Sequence, residues 1–119
     1  SPKYMKYLEW LPKMLKSPEM RVREKVPPGW TATKPGKGRG VKWTNPDNPR
    51  EHVRYSHGDR ANPNPGQQAP YVAVQTPRGR MGQSGKAYPG DAAKEHWSDT
   101  HISPKDYPDW ERWDAPGGR

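Results

Sequence analysis

Four histidines, His52, His57, His96 and His101, set in a chain rich in Arg and Lys, are the residues here whose types could do chemistry. An imidazole that titrates near pH 6.5 can serve as base or acid at neutrality. Together with Arg or Lys it can cleave RNA through the substrate's own 2′-hydroxyl. One group takes that proton, another protonates the leaving 5′-oxygen, and a cation stabilises the crowded phosphate. That scheme needs neither metal nor cofactor. Each histidine also has a plain reading, as a surface residue or a satisfied hydrogen-bonder.

In "HVRYS", residues 52 to 56, Arg54 lies two residues from His52, so in a strand both face one side while Val53 and Tyr55 face the other. In "YVAVQT", Val72 and Val74 take one face, and Tyr71, Ala73 and Gln75 take the other. Tyr71 can then stand beside the basic strand as a stacking or hydrogen-bonding group, or simply pack on the sheet.

Other chemistries find fewer parts. There is no Cys and no Gly-x-Ser-x-Gly elbow, so acyl-enzyme hydrolysis is disfavoured. His52 and His57 are five apart, on opposite sides of a strand, with no His-Glu-x-x-His or paired carboxylates beside them, and no metal site is expected. "KPGKGRG", residues 34 to 40, lacks the Gly-Lys-Ser/Thr of a phosphate-cradling P-loop. It reads as a basic loop whose Lys37 and Arg39 touch phosphates.

The elements that must position these groups follow from local pattern. "KYMKYLEWLPKMLK", residues 3 to 16, carries Tyr4, Tyr7, Leu8, Leu11 and Leu15 at helical spacing, with Pro12 kinking or ending the helix. "VPPGW" at 26 to 30 marks a boundary, dividing an N-terminal helix or connecting arm (1–25) from a domain (26–119). Beyond it, "VKWT" (41–44), "HVRYS" and "YVAVQT" are extended pieces separated by "NPDNP" and "NPNPG". The segment 76 to 90 predicts a hairpin or a basic loop, and "DAAKEHW" one or two helical turns capped by Asp91. The fold class expected is α+β: a helix, then a small twisted antiparallel sheet with long loops.

Composition bounds the rest. The 119 residues suit one domain, and 29% hydrophobic content with 16 Pro and 12 Gly leans toward disorder. Six Trp and six Tyr counter that lean, because each buries a large apolar area and keeps a polar handle. Net charge is +8, with 14 basic against 6 acidic residues up to position 60 and 7 against 7 beyond it. That balance suits a nucleic-acid backbone, an anionic membrane or an acidic protein. Without Cys no disulfide framework is available, and no apolar run is long enough to span a membrane. Ser1 in place of Met reads as the start of a piece cut from a longer protein.

"VPPGW", "KGRGVKWTNPDNP", "HVRYSHGD", "NPNPGQQAPYVAVQ" and "THIS" resemble, in order and over about residues 26 to 103, the C-terminal toxin domains of bacterial polymorphic toxins of the Rhs and contact-dependent inhibition types. "NPNPGQQAPYV" carries most of the likeness. On this resemblance Arg54, Gln68, Tyr71 and His101 fall on recurring polar positions. His57 stands where the family has a small residue or Pro, and Thr100 where it has Ala. The resemblance implies a ribonuclease outline of the barnase, colicin and RelE type, with active sites built from His, Arg, Lys and Tyr.

The function expected is a metal-independent endoribonuclease toxin that cleaves tRNA or rRNA in the cytoplasm of competing bacteria after delivery from the producer. It is expected to act as a monomer without stable membrane insertion, held in check by an acidic immunity protein. His101, Arg54, Tyr71 and His57 are the catalytic candidates, and Lys42, Gln68, Lys37 and Arg39 the substrate-binding ones. Two rival readings are a non-enzymatic basic RNA-binding module and a toxin with other chemistry, such as ADP-ribosyl transfer.

Overall fold

Short β-branched and aromatic stretches joined by Asn- and Pro-set turns favour pairing between neighbours in sequence, because each hairpin closes only a small loop. The computed structural model describes residues 17–35, 39–107 and 110. Its sheet has six antiparallel strands in sequence order: β1 (Thr31–Thr33), β2 (Gly40–Thr44), β3 (His52–Ser56), β4 (Tyr71–Thr76), β5 (Gly79–Met81) and β6 (Ala87–Tyr88). The expected class, α+β with an antiparallel sheet, is what forms, and the three strands read from sequence are its centre.

The helix expected over residues 3–16 lies outside the described residues. The described helix, α1 (Pro18–Lys25), starts where Ser17 accepts from the Met20 amide at 3.2 Å, with Pro18 at its first position and Glu19 in its first turn. Val26 and the two prolines behind it end it. One helical side chain, Val22, is fully buried, and Lys25 Nζ donates to the Tyr107 carbonyl at 2.6 Å. So short a helix is marginal alone and stands by docking on the core.

The turns set the register. Asn45 holds the β2–β3 connection through bonds to the Asp47 amide and the Glu51 side chain. Between β4 and β5 only Pro77 and Arg78 make the turn, closed by Thr76 Oγ1, which accepts from the Arg78 amide. Gly79 follows at φ +131°, and a Cβ there would lie 2.7 Å from the Tyr88 carbonyl. No other residue fits so close to the next strand.

Cross-strand pairing sorts side chains into rows. Trp43, Val53, Val74, Met81 and Ala87 form one row, and Val41, Tyr55 and Val72 the next, both on the core face. Val22, Val26, Ile102, Tyr107 and Trp110 complete the core. Trp30 meets Trp110 edge-on at 4.7 Å. Past β6 a 3-10 helix (Gly90–Glu95) leads into α2 (Trp97–Thr100). Asp91 does not cap it, contrary to the expectation from the sequence. The N-cap position belongs to Pro89, and Asp91 pairs instead with Lys94 at 3.5 Å. No described helix is long and apolar enough to cross a membrane.

Candidate functional site

The second face of the sheet is where the chemistry collects. Because side chains alternate, fixing the core rows fixes the opposite ones. Thr44, His52, Gln75, Arg80 and Tyr88 form a row across β2 to β6, and Lys42, Arg54 and Ala73 form the row beside it. Ser56 and Tyr71 form a third. Neighbours within a row stand about 5 Å apart at Cβ. Three cations, a histidine and two tyrosines thus share one surface, with Ala73 as the low point between the taller side chains.

His101 joins that surface from the far end of the chain. Ile102 makes an antiparallel bridge with Val72, donating and accepting backbone bonds at 3.0 and 2.7 Å. The bridge places Ile102 in the core and sets His101 level with Ala73, in the row of Lys42 and Arg54. The imidazole sits against Tyr71 (centroids 4.6 Å) and Trp97 (4.4 Å). Its Nδ1 lies 3.1 Å from the Trp97 carbonyl, which can only accept, so Nδ1 carries the proton of the neutral ring. Thr100 Oγ1 spends its own proton on the His96 carbonyl. Nε2 is then the basic nitrogen of His101.

Burial and neighbouring cations disfavour the charged form of both imidazoles. Burial first, then the charges of Lys42, Arg80 and Arg54, lower His52 to about 4. His101 is also lowered, chiefly by burial and further by Arg80 and Arg54, against the opposing bond to Trp97. Burial and Arg54 push the Arg80 guanidinium down from its usual value. Arg80 Nε donates to Gln75 Oε1 at 3.2 Å, so its orientation is fixed. His52 Nδ1 and Arg54 Nε are buried and have no hydrogen-bond partner among the described residues. Among the described residues, the sheet rows that carry Lys42, Arg54 and Arg80 hold no carboxylate, which suits an anion.

Asp99 braces the wall of this site. It accepts from the Ser84 amide and hydroxyl and from the Tyr88 phenol at 2.6 Å, tying the β5–β6 turn to α2. Burial raises its carboxyl, but the bonds from Ser84 and Tyr88, with Lys86 nearby, outweigh that and leave it lowered. The bond to Asp99 raises the Tyr88 phenol in turn. Gly82 makes room, since a Cβ there would collide with the Asp99 carboxylate. Two clefts open on either side of the Tyr71–Arg54–His101 group. One, about 250 Å³, has Gln75, Arg80, Tyr88, Trp97 and His101 among its walls. The other, about 130 Å³, has Arg39, Arg54, Ser56, Gln67 and Tyr71.

Of the candidates read from sequence, Arg54, Tyr71, His101 and Lys42 come together on this face. Arg39 reaches the smaller cleft and lies 3.6 Å from Asp59. Lys37 lies outside the described residues. Gln68 is exposed and donates to the Asn62 carbonyl at 2.8 Å, and its neighbour Gln67 lines the cleft instead. His57 lies apart from the group: past the end of β3, it faces Glu19 of α1 at 3.7 Å and the edge of Tyr55, a core-face residue. Sequence reasoning missed Gln75, Arg80, Tyr88 and Trp97, and left His52 out of the site although it put His52 on Arg54's face. The alternation of "YVAVQT" already placed Gln75 beside Tyr71. Reading Pro77–Arg78 as a two-residue turn would have placed Arg80 opposite Gln75.

Among the described residues no three His, Asp or Glu side chains gather to hold a metal ion. No protein-family model, curated protein or solved structure matches this chain.

Proposed function

We propose that the chain is an endoribonuclease toxin domain that cleaves cellular RNA, tRNA or rRNA, without a metal ion. One observation carries the reading: Lys42, Arg54 and Arg80 share a sheet face with His101, whose Nδ1 lies against the Trp97 carbonyl and leaves Nε2 as the basic nitrogen. His101 takes the 2′-hydroxyl proton, and the 2′-oxygen attacks the adjacent phosphorus. Arg54, Lys42 and Arg80 hold the charge that grows on the phosphate oxygens. The bond to the 5′-oxygen breaks, leaving a 2′,3′-cyclic phosphate and a 5′-hydroxyl.

His52 is the group placed to protonate the leaving oxygen. Strand spacing separates the His52 and His101 backbones by about 12 Å on opposite sides of Ala73. That gap lets two inward-leaning imidazoles flank one phosphate, as in-line displacement requires. Burial holds His52 low first, and a bound phosphate offsets the three cations that lower it further, raising its pKa from there. Tyr71 packs on His101 and keeps its ring in place.

Delivery into competing bacteria and action in the target cytoplasm belong to the same proposal, and the basic face suits neutralisation by an acidic immunity protein that covers the site. The outline of short helix and antiparallel sheet is compatible with small metal-independent ribonucleases. The test is total RNA incubated with the purified chain in EDTA, beside His101→Ala. Cleavage ending in 2′,3′-cyclic phosphate by the parent, and little by the variant, is expected. Intact RNA from both, or cleavage that needs added divalent metal, overturns the mechanism. Salt-sensitive binding without cleavage leaves only an RNA-binding module.

A further inference from the structure

The larger cleft is bounded by β5, β6, the 3-10 helix and α2, and Gln75, Arg80 and His101 belong both to it and to the cationic face. Its volume, about 250 Å³, is below the 300–1,000 Å³ usual for whole drug-sized ligands. It suits one planar ring system. Trp97 and Tyr88 give it aromatic surface, and Gly90 and Ala93 add little bulk. The wall is braced: Asp99 fixes Tyr88, and the bonds to the Trp97 carbonyl fix His101.

We propose that this cleft is a nucleobase subsite, taking one unpaired base of the RNA whose phosphate lies over Arg80 and Arg54. This rests on the ribonuclease reading for the identity of the chain that enters, but the cleft can be tested apart from cleavage. A base in a duplex is stacked on both faces and its edges lie in a groove side chains cannot read. A base that enters a cleft beside Trp97 must leave the stack, so the substrate is single-stranded or looped RNA. The smaller cleft on the other side of Tyr71, where Arg39 is paired with Asp59 beside Ser56 and Gln67, is polar, and takes the ribose of the next nucleotide. The substrate thus crosses the sheet from one cleft to the other over Ala73.

An all-deoxy single-stranded hexamer is the probe, because it lacks the 2′-hydroxyl and cannot be cut by this chemistry. Its Kd is measured for the 119-residue chain, Trp97→Ala, Trp97→Phe and Ala93→Leu, with circular dichroism to confirm folding and the indole N–H resonance of Trp97 as reporter. Base–aromatic stacking of this kind carries about 1–3 kcal/mol, so Trp97→Ala weakens binding about tenfold or more. Trp97→Phe keeps most of the affinity, and Ala93→Leu, which fills the cleft without removing a ring, weakens it. The hexamer shifts the Trp97 indole resonance, and the same sequence as a duplex does not. A free mononucleotide binds at least about tenfold more weakly than the hexamer, having no further phosphates for the cations.

Unchanged Kd in folded Ala93→Leu together with an unmoved indole resonance overturns the subsite. So does a mononucleotide that binds as tightly as the hexamer, which would mark a site for free nucleotides. Should Trp97→Ala not fold, Trp97→Phe and Ala93→Leu still decide. The two readings fail differently: RNA cleavage indifferent to these variants sinks the subsite alone, whereas variant-sensitive hexamer binding by a chain that cuts no RNA sinks the ribonuclease alone.

Discussion

His52 offers the most direct test of the electrostatics on which the site depends. Its folded pKa is about 4, against an ordinary 6.5, because burial and three cations oppose its protonation. The unfolded chain therefore binds a proton that the folded one refuses between those values. The associated stability is fully present above pH 6.5 and is lost as pH falls toward 4. Moving from near pH 7.5 to near pH 5 would cost about 2 kcal/mol if the ring were wholly shielded, at about 1.4 kcal/mol per pK unit. His52 is half-buried, and solvent screening brings this to about 1 kcal/mol. His52→Gln removes the titration and keeps a polar side chain. Urea unfolding of both proteins at the two pH values, at one ionic strength, isolates the histidine from everything else that titrates. The parent should lose about 1 kcal/mol more than the variant on acidification. Equal losses would mean that neither burial nor Lys42, Arg54 and Arg80 oppose protonation of His52, and the account of how a bound phosphate recruits it as an acid would fall too.

Three further outcomes follow from the packing. Met81→Ala, emptying a fully buried position in the central core row, should lower stability by about 3 kcal/mol in the same urea assay. Gly79→Val should destabilise more than an exposed substitution, since its φ of +131° and the 2.7 Å approach to Tyr88 leave no place for a side chain; an unchanged urea midpoint would refute the tight turn. Asp99→Asn should return the Tyr88 phenol toward its ordinary range in an ultraviolet titration. Because the Asp99 carboxyl is lowered in the folded state, the stability it contributes is present above the ordinary carboxylate range and lost as pH falls through its folded pKa. That decline lies below most of the His52 window, so the two can be separated.

How far the site was legible depended on distance along the chain. Arg54 and Tyr71 were readable because strand alternation is local: once Val53 and Val72 are taken as core, their neighbours must face the other way. Lys42 follows by the same rule from Trp43. Arg80 was lost for want of one turn, since a shift of a single residue in β5 would have put it in the core. The helix or arm expected over 1–25 did not single out the short α1, although its signals were present, Ser17 before Pro18 and Glu19.

The amino-acid sequence alone determined the class of this molecule: basic, free of cysteine, antiparallel, and furnished with imidazoles and guanidiniums in place of a nucleophilic elbow. It also determined which faces the central strands present, since a period of two needs no knowledge of the partner strand. Only the tertiary structure decided which histidine shares a face with which cation. His101 reaches Arg54 through a single bridge from Ile102 to Val72, thirty residues away in sequence. His57, three residues from Arg54, is carried to the other side of the sheet by the strand it follows. Proximity in a sheet is set by register and closure, and neither can be read from a residue's immediate neighbours.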